Sequence, residues 1–109
     1  MTGCLFCKIA KKEIPVEVIC ENEEALSFLD VNPFVLGHAL VIPKSHAENI
    51  IDLRDEEVGP VFQTVKKVTG MLKKALGPEG FTIGINHGRI SGQMVPHFHI
   101  HVIPRYPGD

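Results

Sequence analysis

The sequence predicts an α+β fold in which an antiparallel sheet of about five strands carries one long helix and a short N-terminal helix. Short apolar stretches with an alternating or fully buried pattern recur along the chain. One longer stretch near the middle repeats apolar residues at helical spacing for about six turns. At 109 residues the chain is long enough for one hydrophobic core, so we expect a single domain over residues 1–109.

The first half of the chain predicts one short helix and three strands. Residues 4–12 favour a helix that ends before Pro15. Alternating apolar side chains predict strands over residues 16–20 and 25–29. The short run at 38–42 is almost wholly apolar and is expected to be a central strand that is buried on both faces.

The long helix is predicted over residues 52–76. The apolar side chains that recur at intervals of three or four are Val58, Val61, Phe62, Val65, Val68, Leu72 and Leu76. Asp52 is the expected N-cap because acidic residues follow it, and Gly77 with Pro78 is expected to end the helix. Pro60 lies inside this stretch, so we expect either a kink or a helix that restarts there.

A row of histidines dominates the last segment of the chain. Alternation over residues 81–85 predicts a strand, and a turn-rich loop then leads to the stretch 96–105, where His97, His99 and His101 alternate with apolar residues. Side chains at alternate positions of a strand share a face and stand about 6.6 Å apart. The three imidazoles are therefore expected to face one way, where each can serve as nucleophile, proton carrier or metal ligand.

Composition excludes several classes of protein. The formal net charge is −2, whereas a nucleic-acid-binding protein would normally carry a basic face. No apolar run reaches the 18 residues of a membrane span, and the first residues lack the pattern of a secretory signal. We therefore expect a cytoplasmic protein without a nucleic-acid or membrane partner.

The cysteines point to metal or redox chemistry. Cys4 and Cys7 form a Cys-x-x-Cys pair, and Cys20 is the third cysteine. In an intracellular protein this spacing favours metal binding or a redox pair over a structural disulfide, although two inert reduced thiols would have the same spacing.

Several motifs together carry a resemblance that covers nearly the whole chain. The main ones are Gly92-Gln93 followed by the row His97-x-His99-x-His101. The others are Phe6-Cys7-Lys8-Ile9, Glu13-Ile14-Pro15, Phe28-Leu29-Asp30-Val31, Gly37-His38, Val41-Ile42-Pro43-Lys44, His46 and Asn86. In order and spacing the chain resembles the histidine-triad (HIT) nucleotide-binding proteins, and most of all their prokaryotic zinc-containing branch. The resemblance implies a HIT-like fold, a single histidine-triad domain and a homodimer.

The resemblance also implies an enzyme. It would be a hydrolase or transferase that acts on the α-phosphate of purine nucleoside monophosphate conjugates, either phosphoramidates or dinucleoside polyphosphates. Neutral imidazole is a good nucleophile and its phosphoryl adduct is labile, so a covalent nucleotidyl-histidine divides one barrier into two. The middle histidine, His99, is the predicted nucleophile. By resemblance His101 contacts the phosphate and His38 completes the catalytic cluster.

The predicted nucleotide site draws on several parts of the chain. By resemblance Asp30 holds the ribose hydroxyls, and the Asn86 side chain contacts the ribose or the phosphate. The backbone N–H groups of Gly92 and Gln93 can bind an anion. The side chains that could be plain core, and some of which are expected to wall an apolar slot for the base, are Leu5, Phe6, Ile9, Ile14, Phe28 and Val31. Met94 stands where the family usually carries Ser or Thr, and a thioether donates no hydrogen bond.

A second constellation combines Cys4 and Cys7 with His46 and His97. Two thiolates and two imidazoles make a tetrahedral set for a closed structural zinc. The resemblance to zinc-containing members implies one Zn²⁺ per chain, with His97 serving the metal while His99 and His101 serve the phosphate.

Two other functions stay open on the sequence alone. The first is a zinc-dependent hydrolase in which His97 and His99, with or without His101, ligate a catalytic metal. Metal removal followed by assay separates it from a covalent-histidine enzyme. The second is a nucleotide-binding sensor or partner protein with little activity, which single-turnover kinetics would reveal.

Overall fold

The computed structural model describes residues 4–109, which form two helices and a five-stranded sheet. In chain order the elements are α1 (Leu5–Ala10), β1 (Val18–Glu21), β2 (Ala25–Leu29), β3 (Ala39–Pro43), α2 (Asp55–Leu76), β4 (Gly80–Gly84), a 3₁₀ turn (Arg89–Ser91) and β5 (Ile100–Arg105). The strand order is β1-β2-β3-β5-β4, and every neighbouring pair is antiparallel. The predicted α+β class is confirmed. No helix within residues 4–109 combines the length and apolarity needed to cross a membrane.

One face of the sheet packs against α2. The side chains that form this core layer are Ala25, Ala39, Val41, Val61, Val65, Val68, Leu72, Phe98, Ile100 and Val102. Successive strand residues point to opposite faces, so these positions share a side of β2, β3 and β5. The helix residues recur at intervals of three or four, which places them on one stripe.

The opposite face of the sheet packs against the short helix α1. The buried side chains of this layer are Cys4, Phe6, Cys7, Ile9, Leu26, Phe28, Leu40 and Ile42. Strand β3 contributes to both layers and is buried along its whole length, as its apolar run predicts. The histidine row and the cysteine pair therefore meet on the α1 side.

The prediction that Asp52 is the N-cap of α2 is wrong. The first residue of the helix is Asp55. Residues before it form a turn in which the Asn49 side-chain carbonyl accepts hydrogen bonds from the N–H groups of Ile51 (3.0 Å) and Asp52 (3.2 Å). Arg54 is the N-cap, and the buried Glu57 carboxylate accepts from its backbone N–H at 3.3 Å. A local side-chain turn thus competes successfully with helix at the expected start.

Helix α2 runs without interruption from Asp55 through Pro60, so the expected restart at Pro60 does not occur. The Pro60 carbonyl stays in use, since it accepts hydrogen bonds from the Asn22 amide at 3.2 Å and the Thr64 hydroxyl at 3.0 Å. The periodicity assigns Val58 and Phe62 to the buried face of the helix, but both side chains are partly exposed. Gly77 ends the helix in the left-handed conformation, as predicted.

The histidine stretch is only partly a strand. Strand β5 begins at Ile100, so His97 and His99 precede it. The Phe98 N–H donates to the carbonyl of Ala47 at 2.6 Å, in the connection after β3 rather than in the strand itself. The side chains still divide as predicted. Phe98 lies in the α2 layer, while the Phe6 ring on α1 contacts the rings of His97 and His99.

Candidate functional site

The hydrogen bond made by His99 defines its tautomer. Its Nδ1 lies 2.8 Å from the backbone carbonyl of His97. A carbonyl can only accept, so Nδ1 carries the hydrogen and Nε2 keeps a free lone pair. The His99 ring packs edge-on against Phe6, with centroids 5.2 Å apart, and is almost fully buried. This arrangement fixes the ring with its basic nitrogen unblocked.

A second chain of hydrogen bonds defines the tautomers of His38 and His101. The Phe34 N–H donates to His38 Nδ1 at 3.2 Å, so His38 carries its hydrogen on Nε2. That Nε2–H donates to His101 Nδ1 at 3.0 Å. His101 therefore presents an Nε2–H. The rings of His99 and His101 lie 5.0 Å apart, so a bare ring nitrogen and a ring N–H donor stand side by side.

Burial keeps the rings of His38 and His101 uncharged. Burial, and then the neighbouring rings of His99 and His38, lower the pKa of His101 to about 4, against the opposing effect of Asp30. Burial also lowers the pKa of His38, again opposed by Asp30, whose carboxylate lies 3.7 Å from His38 Nε2. His38 and His101 are therefore neutral at pH 7, as the tautomers require.

A cavity of about 390 Å³ opens beside His99 and His101. Of the residues predicted to bind nucleotide or to wall the base slot, its wall contains Leu5, Phe6, Ile9, Phe28, Asp30, Val31, Asn86, Gly92 and Met94. Its α1 end is apolar, and its polar groups are concentrated at the histidines, Asp30 and Asn86. His38 is buried behind the wall, where it contacts the lining residues His101, Asp30 and Phe34.

Two residues predicted to bind nucleotide lie outside the cavity wall. Ile14 packs against the core layer of α1. The Gln93 side chain is fully engaged in the loop: its carbonyl accepts from the Gly88 N–H at 2.8 Å, and its amide donates to the carbonyls of Glu48 (2.6 Å) and Val95 (3.1 Å). Gln93 therefore braces the loop that leads to the histidines.

The expected anion-binding N–H groups are also occupied. The Gly92 N–H donates to the Arg89 carbonyl at 3.0 Å, and the Gln93 N–H donates to the Gly88 carbonyl at 3.1 Å. The 3₁₀ turn before them uses these donors, so an anion at this turn would compete with these two hydrogen bonds. That the turn offers N–H donors to an anion stays a prediction.

Sequence reasoning missed part of the wall. The cavity residues that it did not single out as nucleotide-binding are Val16, Asn32, Phe34, Leu40 and Val95. Phe34 is the largest of these omissions, since its ring stacks on His38 at 5.4 Å and is 80% exposed. It lies in an irregular loop, where no periodicity marks the direction of a side chain.

The second constellation assembles as predicted. The possible ligand atoms of Cys4, Cys7, His46 and His97 all lie within 4.8 Å of one another. Nδ1 of His97 is 3.3 Å from Cys4 Sγ and 3.5 Å from Cys7 Sγ, and Nδ1 of His46 is 3.2 Å from Cys7 Sγ. Sulfur and nitrogen ligands of a tetrahedral zinc ion would be about 3.6 Å apart, so the donor set fits this metal.

The surroundings of this cluster also suit a metal. Nε2 of His97 donates to the Pro43 carbonyl at 2.9 Å, which leaves Nδ1 as the nitrogen that faces the sulfurs. The Cys4 sulfur accepts from the Cys7 N–H at 3.3 Å. Burial, and then the neighbouring Cys4, raise the pKa of the Cys7 thiol, so a bound metal would have to displace its proton.

The two constellations are joined directly. His97 belongs to the cysteine cluster through its ring and holds His99 through its carbonyl. Phe6 lies between Cys4 and Cys7 in sequence, and its ring contacts both His97 and His99 at centroid distances of 5.8 and 5.2 Å. The residues that could hold a metal therefore also position the residues of the cavity.

Comparison with known proteins identifies similar sequences. A family model described as HIT domain matches residues 11–108. An uncharacterized HIT-like protein of Methanocaldococcus jannaschii is 49% identical over 106 residues, which are 97% of this chain and 81% of the relative. Adenosine 5′-monophosphoramidase of Schizosaccharomyces pombe is 47% identical over 103 residues, which are 94% of this chain and 74% of the relative.

The fold is similar to solved structures as well. The crystal structure of a zinc-bound histidine triad family protein from Mycobacterium smegmatis superposes with a TM-score of 0.92 and 37% sequence identity. The match covers 99% of this chain and 78% of that protein. The predicted HIT-like architecture is thus confirmed at the level of the fold.

The low pKa of His101 predicts a specific pH dependence of stability. In the unfolded chain the His101 imidazole has its ordinary pKa of 6.5, whereas in the folded chain its pKa is about 4. Between these values the unfolded state holds more protons, so the free energy of unfolding should fall as the pH is lowered from about 6.5 to 4. His101→Asn should make this fall shallower in urea titrations, whereas His87→Asn, at an exposed histidine of the loop, should not. Equal pH dependence in the wild type and His101→Asn would contradict the assignment.

Proposed function

The chain belongs to the HIT domain family, and from that membership we propose that it is a nucleotide-binding hydrolase or transferase acting at the α-phosphate of nucleoside monophosphate conjugates. One observation carries the proposal. The bare Nε2 of His99 and the Nε2–H of His101 stand side by side at a cavity with an apolar end. The likeness to an adenosine 5′-monophosphoramidase supports a purine nucleotide as the substrate.

The chemistry would proceed through a covalent nucleotidyl-histidine on His99. The Nε2 lone pair attacks phosphorus, and the bond to the leaving group breaks with its electron pair, which takes a proton from solvent. The ring then carries a positive charge, and the His97 carbonyl stabilises it through the Nδ1–H. Water attacks the same phosphorus, the P–N bond breaks, and the nucleotide and one proton leave a neutral His99.

The other polar groups would position the substrate. The Nε2–H of His101 donates to a phosphoryl oxygen, and His38 holds His101 in the tautomer that allows this. The Asp30 carboxylate on the cavity wall is suited to accept hydrogen bonds from the ribose hydroxyls. Asn86 donates one side-chain N–H to the Ser91 carbonyl at 2.6 Å, so its second N–H and its oxygen remain to contact the substrate.

The base would occupy the apolar end of the cavity. The side chains there are Leu5, Phe6, Ile9, Val16, Phe28, Val31 and Leu40. Flat apolar walls suit the faces of a purine, since aromatic rings bind by stacking and edge contacts. Because Leu5, Phe6 and Ile9 all come from α1, the base site depends on how firmly α1 is held.

We also propose one structural zinc per chain, bound by Cys4, Cys7, His46 and His97. The donor distances support it, as does the likeness to a zinc-bound family member. Bound there, a zinc ion supplies a fixed tetrahedral crosslink and no open coordination position for substrate. His99 belongs to neither group of possible metal ligands within residues 4–109, which favours the covalent mechanism over a catalytic metal.

We infer a single HIT domain that pairs as a twofold homodimer. Strand β4 is an edge of the sheet, and its neighbourhood exposes Ile83 and Ile85, while α2 exposes Val58 and Phe62. A second copy would cover these apolar side chains.

Sedimentation at micromolar concentration should give the mass of two chains, and a purely monomeric mass would contradict the dimer. A cytoplasmic location stays a prediction of the sequence.

Removal of the proposed nucleophile should abolish turnover and keep binding. We expect His99→Ala to lower turnover of an adenosine phosphoramidate by several orders of magnitude, because the two histidines on the cavity wall within residues 4–109 are His99 and His101, and His101 carries hydrogen on its Nε2. Adenosine monophosphate should still bind in calorimetry. His87→Ala is the matched control and should keep the wild-type rate. A His99→Ala rate within about tenfold of wild type would contradict the assignment of His99 as nucleophile. Wild-type protein that binds adenosine monophosphate but does not turn over the phosphoramidate would favour a nucleotide sensor.

Loss of one thiol should empty the zinc site and loosen the base site. We expect Cys7→Ser to lose zinc in elemental analysis and to lower the melting temperature, because the metal holds α1. Its affinity for adenosine monophosphate should fall as well, since α1 walls the base site. Cys20→Ser is the matched control, as Cys20 lies on β1 outside the cluster. Wild-type protein that contains no zinc after expression with zinc present would contradict the proposal.

The residue after Gly92-Gln93 should limit phosphoramidate turnover. Met94 is 88% exposed on the cavity wall, and its thioether cannot donate to an amine leaving group. One charge-assisted hydrogen bond is worth about 1.5–3 kcal/mol, or roughly 10- to 150-fold in rate if it forms only in the transition state. Met94→Ser should therefore raise phosphoramidate turnover more than turnover of an activated nucleotide ester.

Met94→Leu is the control for this experiment, because it keeps an apolar side chain without a donor. It should leave the ratio of the two rates unchanged. If the Met94→Ser substitution changes both rates equally, or neither, the side chain only packs against the wall.

A further inference from the structure

The histidine stretch before β5 is held from outside the sheet. Strand β5 begins only at Ile100, so the backbone that carries His97 and His99 precedes its ladder with β3. The His97 carbonyl, which accepts the Nδ1–H of His99 at 2.8 Å, lies in this stretch. The orientation of the proposed nucleophile therefore depends on contacts made outside the ladder of β3 and β5.

These contacts come from the connection between β3 and α2, residues 44–54. Its Ala47 carbonyl accepts from the Phe98 N–H at 2.6 Å. Its Glu48 carbonyl accepts from the Gln93 side-chain amide, also at 2.6 Å. Because Phe98 lies between the two histidines in sequence, the Ala47 carbonyl constrains the backbone of both. The connection thus holds the histidine stretch as a neighbouring strand would.

The connection is itself irregular, and its two ends meet at one carboxylate. Residues 44–54 contain neither helix nor strand. Near their start the Ser45 hydroxyl donates to one oxygen of Glu57, which lies in the first turn of α2. At their end the backbone N–H and the side-chain Nε–H of Arg54 donate to the other oxygen, at 3.3 and 3.2 Å. Ser45, Arg54 and Glu57, here named the Glu57 clamp, therefore close the connection into a loop.

Glu57 is a buried charged side chain that the proposed chemistry does not use. It belongs to α2 on one face of the sheet, whereas the nucleotide cavity is walled by α1 on the other face. Burying a carboxylate costs free energy unless hydrogen bonds satisfy its oxygens, and here three donors do so. Burial raises the pKa of the Glu57 carboxyl, but the hydrogen bonds from Ser45 and Arg54 outweigh that effect and lower the pKa. The group is therefore ionised at pH 7 and accepts from all three donors.

We propose that Glu57 is a positioning residue for the attack by His99. It holds the two ends of the connection together, and the connection holds the backbone of the histidine stretch. The His97 carbonyl in that stretch then orients the His99 ring. The inference rests on the proposed function, because it takes His99 as the nucleophile. Reaction rates fall steeply when reacting atoms are misplaced, so loss of the Glu57 clamp should slow the chemical step rather than weaken nucleotide binding.

The test breaks the Glu57 clamp from either side. Ser45→Ala removes one donor at an exposed position, and Glu57→Leu keeps a side chain of similar size without its oxygens. We expect both to lower kcat for an adenosine phosphoramidate about 10- to 100-fold, because the nucleophile is misplaced. Affinity for adenosine monophosphate in calorimetry should stay within about twofold of wild type, since the base site lies mainly on α1, β2 and β3.

Two conservative variants and one control separate positioning from the loss of a charge. Ser45→Thr keeps the hydroxyl donor, and Glu57→Gln keeps an acceptor for Arg54 and a polar group for Ser45. Both should retain kcat within about threefold of wild type. Glu56→Leu is the matched control and should keep the wild-type kcat, because Glu56 is an exposed carboxylate in the same turn of α2.

Amide hydrogen exchange gives a readout that needs no turnover. In Ser45→Ala and Glu57→Leu the Phe98 N–H should exchange about tenfold faster relative to the amides of β3, the change expected when one hydrogen bond is weakened. Ser45→Thr, Glu57→Gln and Glu56→Leu should keep the wild-type ratio. Equal acceleration at Phe98 and in β3 would reveal a general loss of stability and overturn the inference.

The kinetic results can also overturn the inference. An unchanged kcat in both Ser45→Ala and Glu57→Leu would do so, because Glu57 would then only stabilise the fold. Weaker binding of adenosine monophosphate at unchanged kcat would do so too, since that pattern indicates a loosened α1. If Glu57→Leu does not fold, the comparison of Ser45→Ala with Ser45→Thr decides. Wild-type protein that turns over no phosphoramidate would contradict the proposed function, whereas the exchange rates would still test whether Glu57 positions the histidine stretch.

Discussion

The hydrogen bond from the His99 Nδ1–H to the His97 carbonyl is the interaction on which the rest of the site depends. It fixes the tautomer of His99 and so decides that Nε2 is the free nitrogen. It also joins two sites, because the ring of His97 faces the thiols of Cys4 and Cys7. A movement of the His97 backbone would therefore disturb the proposed metal site and the proposed nucleophile together.

The short helix α1 explains why such a link is useful. A helix of six residues is too short to be stable by itself, since isolated helices need about 12–15 residues even in favourable sequences. This helix nevertheless supplies Leu5, Phe6 and Ile9 to the cavity wall. A crosslink through Cys4 and Cys7 would hold the wall in place from its N-terminal end. One face of the sheet packs against α2 and forms a hydrophobic core layer. The other face packs against α1 and carries the proposed catalytic and metal-binding side chains.

Sequence patterns predicted the features that repeat and missed those that depend on single distant contacts. The run of β3 and the stripe of α2 were predictable because burial follows a regular period. The start of β5 was not, since Phe98 finds its partner at the Ala47 carbonyl. The same limit applies to Gln93, whose amide is used by carbonyls of residues 48 and 95. Chain order and spacing contain no direct information about such bonds, whereas the family resemblance located the histidines and the cysteine cluster.

The tautomer of His99 can be measured without a substrate. Nitrogen NMR of uniformly labelled protein at neutral pH distinguishes a ring nitrogen that carries hydrogen from one that does not. We predict that His99 shows a protonated Nδ1 and a bare Nε2, whereas the exposed His87 shows no such fixed preference. A His99 ring with hydrogen on Nε2 would contradict the account, because the nitrogen that must attack phosphorus would then have no free lone pair.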